Sequence, residues 1–581
     1  MKAKFLLLGL LVFAACSKGP ADGEYTIHLL TTNDVHGSWF DQPYVGERAK
    51  NSLYAVNYYV DSVRTAVGAE NVLLVDAGDC LQGDNGAYYF NYVDTITPHL
   101  FPRLVKYMGY DAVTVGNHDV ETGHAVYDRV AKDLQGYKIP FLGGNAIRND
   151  NGEPYFQLYK MFKRQGLRIA VLGYTNANMK AWLNESLWSG MTFESLIPLV
   201  QEDVDKVTAK EKPDIVIVSV HSGVGWGDGK VLESQGLDLY KSLSGVDMLI
   251  TSHDHRPAVL QSDSLCLINS GSHARNVGHG EIKVTVKDGK VVSKELSAGL
   301  IPVKADKADS TMRACFSADY EAVKAFTLRQ VGELKTDMIT RESYAGQCDY
   351  MNLLHRVSIG CSPAKISFAA PLTFNGTVKA GTLIYNDLFT IYPYENQLYV
   401  VNMTGEEIKN YLEYSYSSWV QTISNEKEHA LNIRAMDDPR TGQVGWSFAG
   451  RAYNLDSAAG LNYTVDVTKP VGSRVEITTL ADGTPFSLSE TYPVAMTSYR
   501  ASGGGDLLRE GAGIDTDAID ERVVSRYPEI RDLIYDYLLE HGSIDPEEIG
   551  DPAILGHWSF VPEGLATKSI SRDMNLLFGK K

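Results

Sequence analysis

The chain has 581 residues and a net charge of −18, with a pI near 5.3. That length exceeds one ordinary hydrophobic core, so two or more domains are expected. Its 44% hydrophobic and 22% charged residues are those of a globular protein, and its acidity argues against a general binder of nucleic-acid polymers or anionic membranes. Small anionic ligands stay open, because a bound metal supplies local positive charge.

The first element in the chain is a targeting segment. Lys2 and Lys4 precede an apolar run of 11 residues, Phe5 to Ala15, too short to span a bilayer. The run ends in Phe13-Ala14-Ala15-Cys16, which resembles a bacterial lipoprotein cleavage site with Cys16 as the lipidated residue. Residues 1–16 therefore read as a lipoprotein signal segment. SKGPADGE after it reads as a flexible tether, and the rest is expected outside the cytoplasm, meeting the membrane only through the lipid. Five cysteines remain: Cys80, Cys266, Cys315, Cys348 and Cys361. Their odd number and wide scatter describe no disulfide framework, so mostly buried free thiols are expected.

From Tyr25 to Val303 the pattern is α/β. Apolar, β-branched runs occur at YTIHLLTTND, NVLLVDAGD, DAVTVGNHD, LRIAVLGYT, DIVIVSVH, VDMLITSH and LCLINSGS. Helix-like segments such as SLYAVNYYVDSVRTAV and HLFPRLVKYMG alternate with them. Continuous apolar strands are covered on both faces, and the alternation predicts a layered α/β domain over 25–303. Residues 304–326 read as a linker helix. From 327 to 581 the tyrosines and glycine-rich turns predict a second, α+β domain, with the last stretch, ATKSISRDMNLLFGKK, peripheral.

The chemistry sits where the strand-like runs end. The first ends in Asn33-Asp34-Val35-His36-Gly37, the second in Gly78-Asp79-Cys80-Leu81-Gln82-Gly83, and the third in Gly116-Asn117-His118-Asp119. Two later runs end in His221-Ser222-Gly223 and Ser252-His253-Asp254-His255. Ligands of open α/β sheets sit beyond the carboxyl ends of strands, so distant segments can deliver carboxylates, an amide and imidazoles to one place. These residue types fit two divalent cations of the Zn²⁺, Mn²⁺ or Fe²⁺ kind, with one carboxylate bridging them. A single DxH pair or histidine carries little weight; the whole ordered series carries much.

On these motifs the region 25–303 resembles a calcineurin-type metallophosphoesterase domain, and the tail resembles the 5′-nucleotidase C-terminal domain. Together they resemble the bacterial 5′-nucleotidase and 2′,3′-cyclic phosphodiesterase family over nearly the whole chain. The resemblance implies that Asp34, His36 and His255 hold one metal and Asn117, His221 and His253 the other, with Asp79 bridging. It implies that His118 stands near the substrate phosphate and stabilises charge or protonates the leaving oxygen. The acidic partner of that histidine is usually an Asp three positions later; here the position is Glu121, with Asp119 as a nearer alternative. Water made acidic by the metals would attack phosphorus in line. There is no P-loop motif.

The C-terminal half is expected to select the leaving group. Tyr499-Arg500-Ala501-Ser502-Gly503-Gly504-Gly505-Asp506 resembles the family's aromatic-then-GGD loop, in which the aromatic stacks on the base and the Asp contacts the ribose. Tyr499 and Asp506 carry those roles over, and Asn375 matches the Asn of a glycine-rich stretch. The chain departs from the pattern in two places. The arginine of that stretch is missing, with Lys379 a weak substitute, and the second base-stacking position falls near Leu455, with Tyr453 close by. Tyr392 to Asn396 reads as structural, and His124, His273 and His279 as surface or supporting histidines. The implied activity is a lipid-anchored, extracytoplasmic two-metal 5′-nucleotidase acting on a nucleotide. The alternatives are a 2′,3′-cyclic-nucleotide phosphodiesterase/3′-nucleotidase or UDP-sugar hydrolase, and a non-catalytic nucleotide-binding surface lipoprotein. The oligomeric state is open.

Overall fold

The computed structural model describes residues 20–437 and 444–579. The signal segment and Cys16 lie outside the described residues.

Two six-stranded sheets form the first half. One has the order Lys290–Pro302, Asn276–Lys287, Gly23–Thr32, Val72–Asp76, Ala112–Thr114, Phe141–Leu142. The other runs Ala258–Gln261, Cys266–Asn269, Met248–Ile250, Ile215–Val220, Leu167–Tyr174, Tyr159–Arg164. The central strands pair in parallel and the edges antiparallel, except that the edge strand Phe141–Leu142 of the first sheet is parallel to its neighbour. Val72–Asp76, Ile215–Val220 and Met248–Ile250 are buried along their whole length, which is why their sequences run apolar without alternation.

The sheets pack face to face. Ile27, Leu29, Leu73 and Val75 of the first share one core with Ile169, Val171, Ile215, Ile217 and Ile250 of the second. The first sheet's other face carries Leu30, Leu74 and Val113 against helices Leu53–Val67 and Leu100–Met108. The second sheet's outer face is covered by Leu196–Glu211, through Leu196, Val200 and Val204. Helix, sheet, sheet and helix thus form four layers. Strand period fixes the outcome: Ile27 and Leu29 face the other sheet, and His28 and Leu30 face the helices.

The stretch 304–326 is not one helix. It contains Ser310–Cys315, capped by Asp309 Oδ1 on the amides of Thr311 and Met312, and then Ser317–Thr327. The second helix touches both halves: Tyr320 and Val323 belong to the first core, Phe326 to a core built from the second half. Across this junction Asn85 Nδ2 donates to Asn386 Oδ1 at 2.9 Å and Tyr88 OH to Asp532 Oδ1 at 2.7 Å.

The second half centres on a five-stranded sheet, ordered Ser457–Ala459, Ile366–Ala369, Thr491–Thr497, Gln397–Thr404, Val523–Glu529. Helix Gly405–Trp419 packs on it and starts at a reciprocal cap between Thr404 and Glu407. Two expectations fail here. The C-terminal stretch is not peripheral, because helix Glu563–Phe578 buries Ala566, Ser569, Ile570 and Asp573. The thiols are not mostly buried: Cys80 and Cys266 are, Cys348 is half-buried, and Cys315 and Cys361 are exposed, all unpaired.

Candidate active site

The predicted metal residues follow the carboxyl ends of strands in both sheets, on loops except for Asn117 and His118, which open the short helix Asn117–Glu121. Asp34 and His36 follow Gly23–Thr32, Asp79 follows Val72–Asp76, and Asn117 and His118 follow Ala112–Thr114. His221 follows Ile215–Val220, and His253 and His255 follow Met248–Ile250. Hydrogen bonds lock the loops together: Asp34 N to Gly78 O at 2.8 Å, His36 N to Asp79 O at 2.9 Å, His118 N to Asp79 Oδ1 at 2.8 Å, and His253 N to Asp34 Oδ2 at 2.9 Å. Asp34, His36, Asp79, His253 and His255 all have positive φ, between 47° and 69°. Each such non-glycine backbone costs of order 1–3 kcal/mol, and its persistence in one cluster marks a functional site. Gly116 is required by close approach, since any Cβ there would strike the Asp79 carboxylate.

The ligand atoms form two groups. Those of Asp34, His36 and His255 lie within 4.8 Å of one another, as do those of Asp79, His221 and His253. His221 Nδ1 is 2.7 Å from Ala77 O, a contact that needs an N–H there and leaves Nε2 with a lone pair in the neutral ring. That Nε2 faces Asn117 Oδ1 at 3.0 Å and Asp79 Oδ2 at 3.1 Å. His253 Nδ1 approaches the same Asn117 oxygen at 2.9 Å. His36 Nδ1 points to Gln82 O at 3.3 Å, and its Nε2 faces His255 Nε2 at 2.9 Å. Among the described residues, buried Asp79 Oδ2 has no well-aligned hydrogen-bond donor. Lone pairs converging on one buried carboxylate oxygen call for cations, so the residues present fit a pair of divalent metals.

The charges respond accordingly. Burial would raise the Asp79 carboxyl, but His221, His118 and His36 outweigh it and hold it well below the usual range. Burial pushes Asp34 up, against the pull of His221. His36 and His255 are driven down by burial, which keeps their rings neutral and able to donate lone pairs.

His118 is paired with Glu121: Nδ1 and Oε2 are 2.5 Å apart. Burial alone would lower this histidine, yet Glu121 and then Asp79 raise it to about 10. Asp119 is not its partner. The Asp119 carboxylate accepts from the amides of Gly116, Asp79, Cys80 and Leu81 at 2.8–3.0 Å, tying two metal-site loops together.

A cavity of about 680 Å³ opens from this cluster towards the second half of the chain. Asn117, His118, Glu121, His253 and His255 line one end; Tyr394, Arg451, Tyr453, Tyr499 and Arg500 line the other. Its size suits a small molecule of nucleotide class. Tyr499 lines the cavity, and Gly504 packs against its ring, where a Cβ would collide. Two residues expected at the substrate lie apart from the cavity lining. Asp506 is exposed and outside the cavity lining, because positive-φ Gly503 and Gly505 turn it to solvent. Asn375 is exposed and also outside, since mutual bonds between Gly376 and Thr340 pin its segment elsewhere. Lys379 is tied to Asp337 at 2.6 Å and does not replace the missing arginine. Leu455 is core, and Tyr453 is the aromatic that reaches the cavity.

Sequence reasoning missed several neighbours. Arg500 is buried, bonded to Asp456 at 2.6 Å, and also donates to Tyr453 O and Gly504 O. Its adjacency to Tyr499 was the only available signal. Arg531 donates to the carbonyls of Tyr392, Pro393 and Tyr394, so the turn read as structural also presents Tyr394 to the cavity. Trp182 stacks on His253 at 5.1 Å between ring centroids, and no motif announced it.

The C-terminal domain family of 5′-nucleotidases matches residues 330–509. The family described as bacterial capsule synthesis protein PGA_cap matches residues 32–264, the span that carries the strand-end motifs. The trifunctional nucleotide phosphoesterase YfkN of Bacillus subtilis is 23% identical over 92% of this chain, which spans 39% of that protein. A 2′,3′-cyclic-nucleotide 2′-phosphodiesterase/3′-nucleotidase of Yersinia enterocolitica is 22% identical over 82% of this chain and 81% of its own length. Over most of its length the chain is similar to members of the bacterial 5′-nucleotidase and 2′,3′-cyclic phosphodiesterase family. Its fold follows the same lines. A crystal structure of a Staphylococcus aureus 5′-nucleotidase with α-ketoglutarate superposes with a TM-score of 0.74 at 21% identity, covering 92% of this chain and 99% of that one. The fold class is thus α/β, a layered calcineurin-like N-terminal part followed by an α+β 5′-nucleotidase-type C-terminal part. Among the described residues, no helix is long and apolar enough to cross a membrane.

Proposed function

We propose that the chain is a metal-dependent phosphohydrolase that removes phosphate from nucleotides outside the cytoplasm, with 5′-nucleotidase as its leading activity. One observation carries this reading: buried carboxylate and imidazole lone pairs converge around Asp79 and open onto an aromatic, arginine-bearing cavity. Asp34, His36 and His255 would hold one divalent cation, Asn117, His221 and His253 a second, with Asp79 between them. When bound, such a pair supplies Lewis acidity to phosphoryl oxygens and makes water more acidic.

The chain's own residues do the rest. His118, protonated through Glu121, is placed to donate to a phosphoryl or leaving oxygen. The Asp119 clamp fixes Asp79 and Asn117 relative to each other. Trp182 holds the His253 ring, and Tyr394, Tyr453 and Tyr499 offer π-faces to a base. Residues 25–303 would form the metal-bearing domain, 304–326 the junction and 327–581 the substrate-selecting domain. Residues 1–16 would be a lipoprotein signal, with lipid on Cys16.

With Asn375 and Asp506 outside the cavity, leaving-group contacts fall to Arg451, Tyr453 and Tyr499. This motivates the second reading, a 2′,3′-cyclic phosphodiesterase/3′-nucleotidase or UDP-sugar hydrolase. The test is product analysis with protein lacking residues 1–16 and Mn²⁺ or Zn²⁺: phosphate release from AMP and 3′-AMP, ring opening of 2′,3′-cyclic AMP to 3′-AMP, and cleavage of UDP-glucose to UMP and glucose 1-phosphate. Fastest turnover of AMP is expected. A cyclic or 3′ substrate in first place moves the assignment to the second reading. Binding without hydrolysis by metal-loaded protein overturns both in favour of a binding lipoprotein.

A further inference from the structure

We infer a third site for a divalent transition metal, formed by His28, His279 and Glu281 on the helix-covered face of the first sheet. It shares no residue with the cluster around Asp79. His28 lies on Gly23–Thr32, and His279 and Glu281 on the neighbouring Asn276–Lys287. His28 is directly opposite Glu281 in the antiparallel register. His279 and Glu281 are two residues apart, so the strand period brings all three to one face. Six residues separate His28 from Asp34, roughly 20 Å of extended chain.

The ligand atoms lie within 4.8 Å of one another. His28 Nδ1 is 3.0 Å from His279 Nε2 and 3.6 Å from Glu281 Oε1. A tetrahedral ion with bonds of about 2.0–2.1 Å sets its ligands about 3.3 Å apart, and the two observed separations bracket that value. Tyr59 OH meets His279 Nδ1 at 2.8 Å. Without metal, one proton shared between His28 Nδ1 and His279 Nε2 bridges the two rings; a cation in that place would bind both nitrogens and the Glu281 carboxylate together. Tyr59, from helix Leu53–Val67, then accepts the Nδ1–H of His279 and holds Nε2 towards the metal, the outer-shell arrangement that metal-binding histidines use. His28 is nearly buried and Glu281 is 39% exposed at its side chain, so the open fourth position faces solvent. Two imidazoles and one carboxylate select Zn²⁺-like ions over Ca²⁺ or Mg²⁺. Bound there, the ion would tie both strands to the orientation of Tyr59 and so to the covering helix.

The test counts ions. Protein lacking residues 1–16 is stripped with chelator, dialysed against Zn²⁺, washed and assayed for metal per chain. Three ions are expected for the parent and two for His279→Gln, with phosphate release unchanged. Glu281→Gln, at an exposed side chain, should weaken the third ion at least tenfold. Co²⁺ should give tetrahedral absorption that falls in both variants. An Asp79→Asn background separates this proposal from the catalytic reading: the third ion should persist there and disappear when His279→Gln is added. Equal metal content in the parent and His279→Gln, in either background, overturns the site.

Discussion

His118 Nδ1 and Glu121 Oε2 are 2.5 Å apart on successive turns of the short helix Asn117–Glu121, while Asp119, between them in sequence, points its carboxylate at backbone amides instead. A helix explains the division of labour. Positions i and i+3 share a face, so the residue three on, not the nearer one, reaches the imidazole.

Glu121→Gln should therefore lower kcat by about 10²-fold or more, the usual scale of one general acid. The sign of the pH effect also follows. Glu121 is the strongest influence raising His118, which stands at about 10. Activity that needs protonated His118 falls as pH rises through that pKa. Without the carboxylate the pKa drops, so the alkaline limb of kcat/KM moves to lower pH. An unmoved limb would mean that another group carries the titrating proton.

Asp79→Asn should abolish hydrolysis and loosen both catalytic ions, because the buried Oδ2 faces both groups, 3.1 Å from His221 Nε2 and 4.0 Å from His36 Nε2. Chelation of the parent should do the same, and added Mn²⁺ or Zn²⁺ should restore the parent but not the variant. Near-ultraviolet circular dichroism should show an unchanged fold. Metal-restored activity in Asp79→Asn would sink the two-ion assignment.

Asp119→Ala should act through stability. It strips an acceptor from the buried amides of Gly116, Asp79, Cys80 and Leu81. Each hydrogen bond to a charged group is worth about 1.5–3 kcal/mol, and orphaned amides add to the cost, so a loss of at least about 3 kcal/mol in urea unfolding is expected. Asp119→Asn should recover part of it. Neither variant should move the alkaline limb of His118, which distinguishes the clamp from a catalytic partner.

How far the sequence exposed these roles depends on how local their causes are. The strands of the first half were legible because burial on both faces writes a continuous apolar run, as in Ile215–Val220. The metal residues were legible because each loop carries its own motif and the strand ends bring the loops together. Asp119 stood in plain view, but its bonds reach Asp79 to Leu81 across the fold, and spacing along the chain cannot show that. The substrate end was the hardest. Asp506 and Asn375 matched motifs, yet positive φ at Gly503 and Gly505, and the Gly376–Thr340 pairing, turned both segments away. Arg500 and Arg451 carry no motif, since a buried ion pair to Asp456 and a place on a cavity wall are tertiary facts.

The aromatic wall offers the last test. Tyr499 lines the cavity, and Gly504 sits so close under its ring that an added Cβ would overlap the ring carbons. The Arg500 guanidinium lies 5.2 Å from the same ring, held by Asp456. The glycine run therefore positions an aromatic face rather than delivering Asp506 to a sugar. Base–aromatic stacking is worth about 1–3 kcal/mol, or about 5- to 150-fold in affinity. Tyr499→Ala should raise KM for a nucleotide within that range, with kcat for a small phosphate ester lacking a base unchanged. Gly504→Ala should raise KM too, by displacing the ring, and Tyr499→Phe should restore most of the affinity because the π-face remains. Asp506→Ala should leave KM where it is. A loss with Asp506→Ala comparable to that with Tyr499→Ala would mean that the loop turns over when substrate binds, and that the open-side contact belongs to the aspartate after all.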